Sequence, residues 1–485
     1  MTVGRRALRG TLWLSAANYI AYLVTFGTDI LMARLLFPED FGAIALAVSV
    51  LAIVGRLGSL GLSTAIIQYK PDDQEQWQRF VSTIFWLQLI IAVLILIALL
   101  VFSVMLQWLY DPIVIATLIV LAVGRTVQIV NHIPSALMQK RMMFRQDALI
   151  SFLSLTASSI LGIFLAWRGF GSWSLVVKRL GYVAISGLGV WWVARWRPRL
   201  SWDNEALRYA LRFARSMWVS GNLEVVLKDL DDTAVGTVGD TEALGYYSRA
   251  YKLSRLFIEF IAPAIARTSL PAFSNLKDDP PALSSVFGVA QRFLVRMSAL
   301  FYLEMGLLAP TVVILLYGER WLPMVSLFRV MLVYAFLQPL FNQHKQFLIA
   351  NERPHIVARI RMVQAAFFVP GVFMAAYLWG AVGVAVVVDV MILIGISLIV
   401  WQTRKLVEFS FARTVFPSVL GIFVTAAAFW TLQGLWKFES LWMTLAVFAP
   451  LVGMIFAVCL LFSEGRILFK DVRRVRRGLL KGESL

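Results

Sequence analysis

The sequence predicts an all-α polytopic membrane protein of fourteen transmembrane helices, arranged as two six-helix lobes related as a parallel repeat plus two C-terminal helices. Three observations carry this. Of the 485 residues, 60% are hydrophobic and only 15% charged, against about 25% charged in an ordinary soluble domain. A soluble chain of this length would form roughly three domains with polar surfaces, and there is too little charge here to coat them, so a soluble enzyme is excluded. Apolar stretches long enough to cross about 30 Å of hydrocarbon recur along the whole chain. The basic residues between them fall almost entirely in alternate loops.

The stretches lie near 12–36, 42–67, 81–105, 113–137, 148–166, 172–193, 213–235, 243–272, 293–316, 323–349, 362–377, 384–401, 414–433 and 441–462. Each is expected to be helical, because lipid tolerates no unsatisfied backbone. The first follows Arg5, Arg6 and Arg9, as a signal peptide would. It is too long for an h-region and lacks an A-x-A-like cleavage site, so it reads as a retained span. The turn Ala33-Arg-Leu-Leu-Phe-Pro-Glu39-Asp-Phe41-Gly42 joins it to the second span. The fourth, fifth and sixth spans are separated by the basic loop 138–147 and the turn Gly169-Phe-Gly171, and the six arginines of 194–215 precede the seventh. The seventh and eighth are joined by Gly236-Thr-Val-Gly-Asp-Thr-Glu242-Ala-Leu244-Gly245, and the eleventh and twelfth by Gly380-Ala-Val-Gly383. With the N-terminus in the cytoplasm, inside segments carry 29 Lys and Arg and outside loops 3, namely Arg168, Arg320 and Lys437. That bias supports this orientation and an even number of spans, with both termini cytoplasmic. Tryptophans near span ends, such as Trp108, Trp167, Trp321, Trp401 and Trp436, form an interfacial belt.

The two quoted long turns align at an offset of 203 in their small residue, Glu, bulky apolar residue and Gly, and the Gly169 and Gly380 turns match as well. This defines lobes over 1–200 and 201–405, a pair of added spans over 406–463, and a basic amphipathic cytoplasmic tail over 464–485. Repeats of the same orientation place a substrate site near the midplane. In the tail, Leu468, Val472, Val475 and Leu479 recur at helical spacing beside Arg473, Arg474, Arg476, Arg477 and Lys481, a pattern suited to an anionic lipid surface.

Several chemistries are set aside. The net charge of +17 would suggest nucleic acid in a soluble protein; sorted by position, it marks topology, and no nucleic-acid partner is expected. A single cysteine, Cys459, rules out a disulfide framework, and His132, His344 and His355 have no ligand spacing. No metal and no cofactor is expected. There is no phosphate-binding glycine loop. Asp229-Leu230-Asp231 resembles a glycosyltransferase D-x-D, but it sits on a membrane span and the outside loops reach at most about ten residues, so a membrane glycosyltransferase or polymerase is the weaker reading.

Thirteen cations remain inside spans: Arg34, Arg56, Arg125, Lys178, Arg179, Lys228, Arg249, Lys252, Arg255, Arg267, Arg296, Arg329 and Lys345. Eight acids accompany them: Asp29, Glu224, Asp229, Asp231, Asp232, Glu259, Glu304 and Asp389. Each buried charge costs about 2.5–3.5 kcal/mol, so these groups must pair or line an aqueous cavity. Arg34, Arg267, Arg296 and Lys345 stand near span ends, where they can snorkel. On the seventh span, Glu224, Lys228, Asp231 and Asp232 share a face; on the eighth, Arg249, Lys252 and Arg255 do, with Glu259 one turn on. A net-positive cavity attracts an anion, and guanidinium forks suit phosphate. Arg56, Arg125, Lys228, Arg249, Lys252 and Arg255 are the candidate substrate contacts. Glu224, Asp231, Asp232 and Glu259 are candidates for ion coupling or for a charge network that holds the cations.

The turn over 33–42, Gly61-Leu-Ser-Thr-Ala-Ile-Ile-Gln68, Pro134-Ser-Ala-Leu-Met-Gln-Lys-Arg-Met-Met-Phe-Arg145 and Gly169-Phe-Gly-Ser-Trp-Ser-Leu-Val176 come in a recognisable order. They are followed by Asp231-Asp-Thr-Ala-Val-Gly236, Leu244-Gly-Tyr-Tyr-Ser-Arg-Ala-Tyr251 and Tyr317-Gly-Glu-Arg-Trp321. Over nearly the whole chain this resembles the Wzx-type polysaccharide flippases of the multidrug/oligosaccharidyl-lipid/polysaccharide exporter superfamily. The resemblance implies a bacterial inner-membrane protein that flips undecaprenyl-diphosphate-linked oligosaccharide units to the outer leaflet for O-antigen, capsule or exopolysaccharide, by alternating access and not as an enzyme. It implies membrane lipids as partners and association with a polymerase and glycosyltransferases. By motif position, Asp231 matches the family's span 7 acid and Arg249 falls in its span 8 signature; Lys228, Asp229 and Asp232 depart from the pattern. A lipid II-type flippase and a drug exporter of the same superfamily are the rival readings. The net-basic interior speaks against organic cations.

Overall fold

The computed structural model describes residues 3–57, 62–108, 110–260, 262–407, 409–435 and 440–481, and within these it leaves out the side chains of 3–18, 56–57, 213–226, 262–268, 466 and 468–481. The described chain is helical with no strand. In order the helices are α1 Val3–Leu35, α2 Pro38–Leu57, α3 Leu62–Gln68, α4 Gln74–Leu106, α5 Pro112–Lys140, α6 Phe144–Trp167, α7 Ser172–Ala194 and α8 Asn204–Val238. They continue as α9 Thr241–Ser254, α10 Leu256–Phe260, α11 Ala262–Asn275, α12 Pro280–Leu307, α13 Ala309–Tyr317, α14 Met324–Ala350, α15 Pro354–Thr403, α16 Phe411–Leu435 and α17 Leu441–Lys481.

Among the described residues nine helices are long and apolar enough to cross a membrane. The expected count of fourteen is larger because the charged stretches dilute hydropathy below that of a simple span. α7 carries Lys178 and Arg179, and α8 carries Lys228, Asp229, Asp231 and Asp232. The expected eighth span is also interrupted at Arg255, between α9 and α10. The eleventh and twelfth form one helical run, α15, interrupted at Gly380 (φ 61°, ψ −150°). That conformation is open essentially to glycine alone. Gly171, at the start of α7, has nearly the same geometry (φ 52°, ψ −134°). At the same distance before each turn, Gly162 faces Lys178 and Gly371 faces Val387. The tail expected to lie apart from the last span instead continues α17 without a break to Lys481; the side chains of its basic face lie outside the described residues.

The chain divides into two compact units, Met1–Ser248 and Arg249–Leu485. In the first, α2 packs on α5 and α8, α7 on α5 and α6, and α1 on α6. An apolar core including Ala47, Leu51, Leu99, Leu121 and Ile129 joins α2, α4 and α5. The segment after α7 is fixed along α4. Gln78 donates to the Arg197 carbonyl (2.8 Å) and Trp86 to the Arg199 carbonyl (2.8 Å), while Ser82 and Thr83 hydroxyls accept from the Arg199 and Asp203 amides (3.1 and 3.0 Å). Asp203 then caps α8.

In the second unit, α14 packs along α15, α16 on α17, and α12 on α14 and α16. Its α12–α17 seam holds a buried ion pair, Arg296 with Glu464 (2.6 Å). Arg296 therefore does not snorkel to the interface; a carboxylate on the last helix satisfies it inside. Arg267, also expected to snorkel, has its side chain outside the described residues. On the loops, Lys277 bonds Glu352 (3.1 Å), and that carboxylate holds the ammonium above its ordinary pKa.

Candidate functional site

The first unit contains a cavity of about 170 Å³ between α2, α5, α7 and α8. Its apolar lining includes Val48 and Leu51 of α2 and Leu121 of α5. Its polar lining is Arg125 and Gln128 of α5, Arg179 of α7 and Asp229 of α8. Helical spacing produces this arrangement: Gly124, Arg125 and Gln128 lie within one turn of α5 and face the same neighbours. Arg125 donates to Gln128 Oε1 (2.8 Å), which aims the guanidinium. Its Nε lies 2.8 Å from where a Cβ on Gly55 would stand, so a side chain at that position of α2 would make the arginine shift. Arg179 and Arg125 are close enough for each to feel the other's charge, and His132 feels Arg125 as well. Two guanidiniums and one carboxylate share a small site among apolar helices. In low dielectric this arrangement favours a bound anion, with the guanidinium forks as donors.

Two further span cations have acidic partners within their own unit. Lys178 bonds Asp29 (3.3 Å), tying α7 to α1. Arg255 reaches Glu259 (3.3 Å), donates to the Tyr251 hydroxyl (2.9 Å) and lies over the Tyr251 ring. Tyr251 stacks with Tyr334 of α14, whose backbone amide donates to Asp389 of α15 (2.9 Å). Arg255 and Glu259 are thus parts of a polar chain through α9, α10, α14 and α15 in the second unit. Because the helix breaks at Arg255, the face shared by Arg249, Lys252 and Arg255 ends there. Arg249 and Lys252 are half-buried on α9.

On α8, Lys228 is exposed, Asp232 half-buried and Asp231 buried. Asp231 accepts from the Tyr247 hydroxyl (2.9 Å), which links α8 to α9, and its Oδ1 has no hydrogen bond among the described residues. The side chains of Arg56 and Glu224 lie outside the described residues. Of the six candidate substrate contacts, the cavity takes in Arg125. It also takes in Arg179 and Gln128, which the candidate set did not include. Arg179 was visible as a span charge, but nothing in the sequence indicates that α7 turns it toward Arg125.

A family model described as "Polysaccharide biosynthesis protein" matches residues 31–326. The succinoglycan biosynthesis transport protein ExoT of Rhizobium meliloti (strain 1021) is 24% identical over 64% of this chain and 62% of its own length, so the match spans under two thirds of that relative. The lipopolysaccharide biosynthesis protein WzxC of Escherichia coli (strain K12) is 21% identical over 79% of this chain and 78% of its own. Among solved structures, the lipid II flippase MurJ in an inward closed conformation superimposes with a TM-score of 0.75 at 12% identity, covering 95% of this chain and 99% of that one. An inward-facing multidrug resistance MATE family transporter gives 0.62 at 17% identity, over 81% and 98%. At these identities the likeness shows the fold: an all-helical transporter architecture shared by MurJ and the MATE proteins.

Proposed function

The chain belongs to the polysaccharide biosynthesis protein family, and from that premise we propose that it moves undecaprenyl-diphosphate-linked oligosaccharide repeat units across the bacterial inner membrane for surface polysaccharide assembly. The observation that carries this reading is the Arg125 and Arg179 cavity, whose net positive charge suits a diphosphate and whose remaining lining is largely apolar. The names of the relatives, two of them from succinoglycan and lipopolysaccharide biosynthesis, support the same substrate class. The loop charges place both termini in the cytoplasm. The lobes 1–200 and 201–405 alternate access to the two faces, and the polyprenyl tail stays in lipid. Arg56, Lys228, Arg249 and Lys252 guide the head group. Asp231, Asp232, Glu224 and Glu259 couple an ion or hold the cations in place. A polymerase and glycosyltransferases act on the same lipid-linked units before and after transfer.

The charge of the cavity separates this reading from export of organic cations, which needs an acidic site. A lipid II-type substrate also bears a diphosphate; loss of a peptidoglycan flippase should be lethal, whereas loss of a surface polysaccharide need not be. A glycosyl transfer activity would show as product formed by the purified protein from a lipid-linked donor. The test of the proposal is complementation of a deletion strain. Arg125→Ala with Arg179→Ala, and separately Arg249→Ala with Lys252→Ala, should abolish surface polysaccharide while the protein stays inserted. Loss of one charge-assisted contact is worth about 1.5–3 kcal/mol, so each single variant should lose roughly ten- to a hundredfold in transfer rate. Normal polymer from both double variants overturns the site.

A further inference from the structure

Between α7 and α8 the chain runs as a strap along α4. Arg195 ends α7 in a left-handed conformation (φ 47°, ψ 41°), a place that glycine usually takes. Arg141 of α5 donates to the Ala194 carbonyl beside it (2.8 Å). From there inward and outward side chains alternate. Trp196 is buried against Phe85 and Trp191 and donates to Gln78 (2.9 Å). Arg195, Arg197 and Arg199 are exposed. Their backbone is held, since the Arg197 and Arg199 carbonyls accept from Gln78 and Trp86 and the Arg199 amide donates to Ser82. Three guanidiniums thus project from a fixed base. Among the described residues no carboxylate forms an ion pair with any of them. Asp203, the next acid along the chain, is engaged in capping α8.

The depth of the strap follows from its two neighbours. On α4, Gln78, Ser82 and Trp86 carry it. One turn beyond Trp86, about 6 Å at 1.5 Å per residue, the same helix face continues as Ile90, Leu94, Ile97 and Val101. All four are apolar and exposed. On α7, Leu188 and Trp192 are exposed, Trp192 by 78%, and the arginines follow directly. The strap therefore lies where the lipid-facing surface of both helices stops, at the end that the loop charges assign to the cytoplasm. Beside the guanidiniums, Leu200 is 93% exposed and Trp202 half-exposed. Tryptophan favours this boundary, and a leucine there can enter the acyl region. A free anion would satisfy the guanidiniums and leave Leu200 and Trp202 in water. A phospholipid satisfies both, with phosphate for the forks and acyl chain for the apolar pair.

We propose that residues 195–202 form a binding site for anionic phospholipids of the inner leaflet. Arg195, Arg197 and Arg199 take the headgroup phosphates, and Leu200 and Trp202 enter the acyl boundary. None of these residues lines the Arg125 and Arg179 cavity. The strap is the covalent link between α7 and α8, the helices that carry Arg179 and Asp229.

The test titrates the detergent-purified full-length protein with phosphatidylglycerol or phosphatidylcholine and reads bound lipid by native mass spectrometry. Each guanidinium at an anionic surface contributes roughly fivefold in affinity. The native protein should therefore prefer phosphatidylglycerol at least tenfold. Arg195→Gln with Arg197→Gln and Arg199→Gln should abolish that preference. Arg353→Gln with Arg359→Gln and Arg413→Gln removes the same charge from other exposed positions and should leave the preference intact. Equal loss in the two triple variants would mean bulk charge and would overturn the site. So would a native protein without preference, or glycerol phosphate competing as well as the lipid, which would mean a site for a free anion. If the strap variant does not accumulate, a photoactivatable phosphatidylglycerol on the native protein decides. Its adducts should map to residues 195–202, and adducts only elsewhere overturn the proposal. No lipid-linked sugar enters these measurements, so their outcome is separate from that of the flippase reading.

Discussion

Arg125 shows how much a single side chain depends on its neighbours' smallness. Its guanidinium passes close against Gly55 of α2, and its bond to Gln128 sets its direction. Gly55→Ala should therefore act on a residue it does not replace. The new methyl would displace Arg125, and transfer should fall at least tenfold with little loss of inserted protein. A variant with native output would mean that Arg125 does not need that path. The arginine itself was legible as a charge deep in a span. Its partner Arg179 was legible only as a charge, because helix rotation decides which face of α7 it occupies. Tyr247 was not singled out at all. It lies in the Leu244 to Tyr251 stretch, and its role becomes visible only when its hydroxyl is seen on Asp231.

Among the elements, α12 and α17 illustrate what sequence distance hides. Arg296 sits near a span end, where snorkelling is the simplest expectation, and Glu464 falls in the stretch assigned to the tail. Packing puts them together, both nearly inaccessible. Removing one member of such a pair leaves the other charge buried, at a cost of about 3–5 kcal/mol, whereas replacing both by apolar groups is often neutral. Arg296→Ala should lower the melting temperature of the detergent-solubilised protein markedly, and Arg296→Met with Glu464→Leu should recover most of it. Equal losses in the two would show that the pair is not the source of the effect. Turns were more readable than pairs. The turns at Gly169–Gly171 and Gly380–Gly383 were visible as matching punctuation, and Gly171 and Gly380 within them adopt positive φ. The break at Arg255 carries no glycine or proline signal at that residue, so the eighth span read as continuous.

For the whole molecule, the composition and the apolar stretches were enough to give the all-helical membrane class, because lipid permits few alternatives. The spans of moderate charge were the hard part: the groups that lower their hydropathy also furnish the cavity and its supporting pairs. Among 13 span cations, Lys178, Arg255 and Arg296 are held by acids, while Arg125 and Arg179 share a cavity with Asp229. The positive charge of the first unit's cavity thus comes from one place on α5 and α7. The central claim is that this place accepts the diphosphate of a lipid-linked oligosaccharide during transfer. The most direct measurement is the leaflet distribution of lipid-linked repeat units in a deletion strain carrying either the native protein or Arg125→Ala with Arg179→Ala. The units should accumulate on the cytoplasmic leaflet in the variant and appear on the outer leaflet with the native protein; the same distribution in both strains would contradict the account.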